Sequence, residues 1–217
     1  MTETEIDLAT WDRAEHFRLF RSYERPHFSV TSRVEVTRFR EARRLRGVSL
    51  YRATLFAVGA GIAATPALRT RFRGDRVVRH DRIDLSMSVP RPDGTFGYGY
   101  VPFDPDFGTF DAEAASRIAE AEKATALGAN DGAARDDVAY ASCLPWIDFT
   151  SVTNALPGPD DCIPRIAWGR ITAGGGRLTM AMALEVHHAL VDGRDAGRFF
   201  DAVQSALDGI PAPPLAV

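Results

Sequence analysis

Cysteine is scarce in this chain. Cys143 and Cys162 are the only two in 217 residues, too few for a disulfide framework and without metal-ligand spacing, so no metal site is expected. Lysine is scarcer still: of 26 basic residues only Lys123 is one, so a bound phosphate would meet guanidinium. No charge of one sign dominates. The formal net charge is −3, and the arginine-dense stretches 33–52 and 69–82 are interrupted by apolar and acidic residues, so no nucleic-acid partner is expected. Long apolar runs are missing too; the longest, 55–64, is about half a membrane span. The first residues, MTETEIDLATWDRAEHF, are acidic and carry no apolar signal-peptide core. A cytoplasmic protein with no membrane partner is the expectation.

What is present is the balance of a globular domain, 45% apolar and 25% charged. The expectation is one domain over 1–217, with its core in 6–207 and a loose, proline-rich tail at 209–217. Helices are expected over 11–24 with Thr10 as cap, 38–46, 50–64 capped by Ser49, 110–126 capped by Asp111, and 194–207. Strands are expected at 28–37, 76–80, 83–89, 95–101, 138–142, 164–172 and 177–187, with a polar loop at 128–137. Arg91-Pro92-Asp93-Gly94 has the turn chemistry of a hairpin between two of these strands. The order lacks a clean βαβ rhythm. It predicts an α/β two-layer sandwich, a mixed β-sheet with helices packed on one face.

The stretch 178–188, Leu-Thr-Met-Ala-Met-Ala-Leu-Glu-Val-His-His, carries the most chemistry. Period-two alternation sets Met180, Met182, Leu184, Val186 and His188 on one face and Ala181, Ala183, Glu185 and His187 on the other. Adjacent histidines thus point opposite ways, and only one belongs to a given site. His188 shares the bulky apolar face, where a neutral imidazole of fixed tautomer can take a proton from an attacking hydroxyl. A satisfied structural pair explains the two histidines equally well on spacing alone. A metal site explains them poorly, because the rings diverge and Asp192 adds only one further ligand.

His187-His188-Ala189-Leu190-Val191-Asp192-Gly193 resembles the HHxxxDG signature of chloramphenicol acetyltransferases and their wider acyltransferase superfamily, which includes peptide-synthetase condensation domains and lipoyl transacylases. Three further stretches narrow the resemblance to the chloramphenicol acetyltransferase family. Trp11-Asp12-Arg13-Ala14-Glu15-His16-Phe17 resembles W-x-R-x-E-H-F, and Phe28-Ser29-Val30-Thr31 resembles F-S-x-T. Ser142-Cys143-Leu144-Pro145-Trp146-Ile147-Asp148-Phe149 resembles S-A-L-P-W-V-N-F. Order and spacing match over residues 6–207. The resemblance implies a homotrimer with active sites at subunit interfaces, an acyl-CoA donor (acetyl-CoA most simply) entering by a tunnel, and no permanently bound cofactor. It implies His188 as general base, Ser142 as donor to the oxyanion, and Asp192 with Arg13 as a buried pair holding the active-site loop. It places Arg170, Arg52 and Trp146 toward CoA. On the acceptor side it places Leu19, Phe20, Glu24 and Phe96, together with Tyr98, Tyr140 and Ala167. Cys143 would point away from Ser142, so a cysteine nucleophile is not expected.

Departures from the family pattern gather on the acceptor side. Tyr98 stands where a small residue is usual, Phe20 replaces a tyrosine, Tyr140 an asparagine and Ala167 a threonine, while the loop 22–27 brings in Glu24. These changes alter pocket volume, polarity and charge, the features that set acceptor choice. They predict poor acetylation of chloramphenicol. The function expected is transfer of an acetyl group from acetyl-CoA to a hydroxyl of a small apolar metabolite or antibiotic, with antibiotic resistance and a biosynthetic role both open. The alternatives are the same fold with another acyl donor or acceptor in biosynthesis, and a non-catalytic trimeric binding protein.

Overall fold

Two segments with strict apolar alternation and no internal proline should zip together, and they do. In the computed structural model, which describes residues 2–43, 48–129 and 135–210, they are strands β2 (His27–Glu35) and β9 (Arg177–His187), paired antiparallel from His27↔His187 to Glu35↔Thr179. Strand β8 (Arg165–Gly174) lies along the other side of β9, turning back through Gly175 and Gly176. Both turn residues have positive φ, +57° and +76°, which glycine adopts without strain. Next come β7 (Val138–Leu144), β5 (Asp84–Pro90) and β6 (Phe96–Pro102), giving the order β2-β9-β8-β7-β5-β6. The pairs β5–β7 and β7–β8 run parallel and the rest antiparallel, a mixed sheet.

Helices α3 (Leu50–Ala64), α4 (Phe107–Lys123) and α5 (Gly193–Gly209) cover one face. The core lies between these layers and includes Leu55, Leu85, Phe110, Met182, Leu184 and Phe199, all fully buried. Each such side chain stabilises the fold by about 1.5–3 kcal/mol through burial. The other face carries only a small cluster of Phe149, Ala167, Ala181 and Ala183. Along β9 the methionines go to the main core and the alanines to this open face, as the alternation predicts.

Three expectations need correction. Thr10 does not cap the first helix: α1 runs Ala14–Arg21 with Arg13 at its start, and the Thr10 hydroxyl turns to Asp7 instead. Asp111 does not cap α4. Asp106 does, its Oδ1 accepting from Thr109 N at 2.8 Å, which frees Asp111 to pair with Arg52 one turn into the helix. The reading also missed a second sheet, β1 (Glu3–Ile6), β4 (Arg76–His80) and β3 (Thr70–Arg73) in the order β1-β4-β3. β1 and β3 lack apolar alternation. They are held by cross-strand pairing, by Phe72 and Ile6 packing on the core, and by charge, with Arg73 bidentate to both Glu3 and Asp136. Helix α2 (Thr37–Arg43) accounts for the described part of the helix expected at 38–46; residues 44–46, positions 130–134 of the expected loop and the tail from 211 lie outside the described residues. Among the described residues no helix is long and apolar enough to cross a membrane.

Candidate active site

β9 ends at His187, and the chain then turns tightly into α5. The two histidines part there. His187 is buried; its Nδ1 accepts from Ala189 N at 3.1 Å, so its Nε2 carries the proton and donates to Pro159 O at 3.0 Å. Burial, aided by the nearby His27, lowers its pKa to about 4. Between about pH 6.5 and pH 4 the unfolded chain takes up a proton that the folded chain refuses, so this histidine makes the fold less stable as pH falls through that window. His187 is a structural group.

His188 is held differently. Its amide donates to Pro26 O at 2.9 Å, and its carbonyl accepts from Arg13 Nη2 at 2.6 Å. The ring stacks on Phe20, centroids 3.9 Å apart at 14°, and tilts against Phe28 at 4.7 Å. Nδ1 faces Val191 O at 3.0 Å. A carbonyl only accepts, so Nδ1 bears the proton and the Nε2 lone pair is left without a partner among the described residues. Phe20 thus touches the imidazole, with Leu19 half-exposed beside it and Glu24 exposed on the next loop.

Arg13 bridges the turn, giving Nε to Ala189 O at 3.0 Å and Nη1 to Asp192 Oδ2 at 2.8 Å. Asp192 also caps α5, its Oδ1 accepting from the amides of Arg194 and Asp195, and Asp195 completes a capping box. Burial raises the Asp192 pKa, but those amides and Arg13 outweigh it and the net direction is down. The pair is less buried than expected, because the Asp192 side chain is 43% exposed. The coupling should therefore be about 1 kcal/mol, not the 3–5 of a buried pair. In urea unfolding of Arg13→Ala, Asp192→Ala and the double variant, each single change should cost more than this coupling, since each breaks further hydrogen bonds. Strict additivity would show that the two side chains act separately.

Ser142 sits elsewhere. On β7 it faces Ala167 of β8, which faces Ala183 of β9. His188 lies five residues past Ala183. Two inter-strand spacings of about 4.8 Å and five rises of about 3.3 Å separate the two positions in one chain by roughly 19 Å. The Ser142 hydroxyl makes no hydrogen bond to any described residue and lies where two cavities meet. The first, about 500 Å³, is bounded by Ser86, Tyr140, Asn154 and Arg165. The second, about 530 Å³, runs from Ser142 past Ser88 and Cys143 to Tyr51 and Ile118 on the helices. It opens because the β5–β7 pairing stops at Met87↔Ala141 and the strands fork. Tyr98 lines both cavities, and Phe96, edge-on to it at 5.5 Å, lines the second. Ala167 packs in the small open-face cluster directly across from Ser142.

Trp146 walls the mouth of the second cavity and is 72% exposed. Its segment crosses β8 at Gly169, where a Cβ would stand 2.6 Å from Ile147 O, so only glycine lets the crossing occur. Arg170 N then donates to Ile147 O at 2.8 Å, which brings Arg170 and Trp146 to one edge. Sequence reasoning missed this requirement; a lone glycine inside an apolar strand was its one signal. Arg52 does not join them. Its guanidinium is bidentate to Asp111 at 2.6 and 3.0 Å, so the expected CoA contact from Arg52 is withdrawn. Burial pushes the Cys143 thiol up to about 11, and it packs toward the core, so it is no thiolate nucleophile at neutral pH.

These features have counterparts among known proteins. The chain is 29% identical over 212 residues to "Chloramphenicol acetyltransferase 2" of Haemophilus influenzae, covering 97% of this chain and 99% of that one. It is 31% identical over 210 residues to "Chloramphenicol acetyltransferase" of Streptomyces acrimycini, covering 95% and 94%. A solved "chloramphenicol acetyltransferase" superposes with a TM-score of 0.84 at 28% identity, over 95% of this chain and all of that one. The dihydrolipoamide acetyltransferase of Azotobacter vinelandii shares the fold at TM-score 0.66 and 18% identity, over 91% and 87%. A model of the chloramphenicol acetyltransferase family matches residues 1–204. With an unpartnered imidazole nitrogen, a free serine hydroxyl at the junction of two cavities and this full-length likeness, the chain belongs to the chloramphenicol acetyltransferase family, acyltransferases that use acetyl-CoA.

Proposed function

We propose that the protein acetylates a hydroxyl of a small-molecule acceptor at a site completed between copies of the chain in a homotrimer. His188 comes from one copy and Ser142 from its neighbour. The observation that carries this reading is the separation of roughly 19 Å between the two within one chain, too far for both to touch one reacting carbonyl. The acceptor hydroxyl gives its proton to His188 Nε2 as its oxygen attacks the thioester carbon. A C–O bond forms, and the carbonyl oxygen becomes an oxyanion that Ser142 Oγ–H stabilises. Collapse breaks the C–S bond, and the departing thiolate takes from the imidazolium the proton that the acceptor hydroxyl gave it. No acyl-enzyme is needed. Phe20 and Phe28 give the imidazole apolar surroundings on its ring faces.

The second cavity suits the donor. Its apolar walls, Tyr51, Val89, Ile118 and Leu144, match a pantetheine arm, with Trp146 and Arg170 at the outer end for the nucleotide and a phosphate. The first cavity then takes the acceptor, with Tyr98 lining both. Tyr98 and Tyr140 line the acceptor's half, while Leu19, Phe20 and Glu24 reach it only from the copy that brings His188. A phenol where the family pattern has a small residue argues for an acceptor slimmer than chloramphenicol.

Mixing two inactive variants tests the assembly. Unfolding and refolding His188→Ala together with Ser142→Ala in equal amounts should restore about a quarter of wild-type activity, because that share of interfaces unites an intact histidine with an intact serine. A mixture as inactive as its components would place both residues in one chain's site and overturn the shared-site reading.

A further inference from the structure

Glu185 stands on the open face of β9, in register with Ser29 of β2 on one side and Arg165 of β8 on the other. It is 6% exposed, yet no cation pairs with it among the described residues; the Arg165 guanidinium is taken by Asp161 at 2.5 Å. Burying a carboxylate without a cation opposes folding unless N–H groups replace its water. Asn154 supplies two. Its backbone N and its side-chain Nδ2 both donate to Glu185 Oε2 at 2.7 Å. Asn154 belongs to the segment 151–157, which forms no helix or strand; Val152, Asn154 and Leu156 are half-buried and the residues between them exposed. Among the described residues no backbone–backbone hydrogen bond ties this segment to a strand. Its polar moorings are the two bonds to Glu185 and one from Ser29 Oγ to Val152 O at 2.9 Å.

The moored segment is a wall of the first cavity. Asn154, Ala155, Leu156 and Pro157 line that cavity together with Ser142, and none of the four lines the second. We propose that Glu185 is a positioning residue for the acceptor: its carboxylate fixes Asn154 and, through Asn154, the wall that orients the acceptor at Ser142. A hydrogen bond to a charged oxygen is roughly twice as strong as one between neutral groups. Two of them converging on one oxygen hold both the main chain and the side chain of Asn154. This inference rests on reading the first cavity as the acceptor's half of the site. The donor's half is lined by other residues, so loss of the mooring acts on the acceptor and spares acetyl-CoA.

Exchanging hydrogen-bond donor and acceptor tests it. Asn154→Asp sets two carboxylates against each other, whereas Asn154→Asp combined with Glu185→Gln restores a pair in which the glutamine amide donates. Benzyl alcohol and chloramphenicol serve as acceptor probes, with acetyl-CoA as donor and thiol release as readout. Asn154→Asp should lower the acceptor kcat/KM by about tenfold and leave the KM for acetyl-CoA within about twofold. The double variant should return to within about threefold of the wild type. Glu185→Ala, which removes the mooring oxygen, should lose as much as Asn154→Asp; the Asn154 variants keep the test independent of how well that protein folds. A double variant no better than Asn154→Asp, or a KM for acetyl-CoA that rises in step with the acceptor's loss, would overturn the proposal. If the wild type acetylates neither probe, dissociation constants measured by calorimetry without acetyl-CoA take the place of kcat/KM. The same loss and recovery would then uphold the positioning role and sink acetyl transfer to a hydroxyl. Equal constants for the wild type and both Asn154 variants would overturn the positioning role.

Discussion

His188→Ala should lower kcat by about three to four orders of magnitude, at the upper end of what a positioned general base contributes. The physical basis is the tautomer. With Nδ1–H committed to Val191 O, Nε2 presents its lone pair, and the clamp from Pro26 O and Arg13 on the His188 backbone leaves the ring one orientation. The stack on Phe20 fixes the ring plane. Because His188 is only half-buried and leaves few bonds broken when truncated, the variant should fold and melt near the wild-type temperature. His187→Ala is the matched control. It deletes two hydrogen bonds and opens a hole beside His27 and Phe72, so it should lose about 2–3 kcal/mol of stability. The residual activity of His187→Ala at a temperature where it is folded should far exceed that of His188→Ala. Should the two phenotypes be exchanged, the base has been placed on the wrong side of the strand end.

Ser142→Ala carries the second large effect, a fall of about 10²–10³ in kcat with KM little changed. A hydroxyl that pairs with nothing in the described structure is free to donate to an oxyanion that exists only in the transition state, and such interactions act on kcat rather than on substrate affinity. Threonine keeps the hydroxyl, so Ser142→Thr should recover part of the loss. If KM rises and kcat holds, Ser142 is a ground-state contact of substrate and the oxyanion must find its donor elsewhere.

Some of this was local enough to read from residues in order. The alternation along 177–187 separates the histidines because a strand's side chains alternate whatever surrounds it, and the methionine and alanine faces fall where it puts them. Ser49 as the cap of α3 was legible for the same reason: a cap is decided within four residues, and Ser49 Oγ accepts from Arg52 N. The family was legible because four short motifs recur at the right spacing, each with its chemistry inside a few residues.

Contacts between distant parts of the chain were not legible. By residue order Asp111 reads as the cap of α4, but Asp106 caps it, and Asp111 pairs instead with Arg52, 59 residues away in the chain. Strands β1 and β3 carry no periodic apolar signal: each is four residues long, with Ile6 and Phe72 reaching the core while charge pairs such as Arg73–Glu3 and Arg76–Glu5 join the strands at the surface. Arg71 is fully buried, donating to four carbonyls spread from Leu68 to Val138, which no local rule for arginine would foresee. By itself the sequence determined the chemical groups, the face each one takes and the family. Only the tertiary structure decided that Arg52 is already paired with Asp111 and that Ser142 and His188 lie too far apart in one chain to share a carbonyl. The reason is register: which strands lie side by side, and by how many residues they are offset, is set by the packing of the whole sheet.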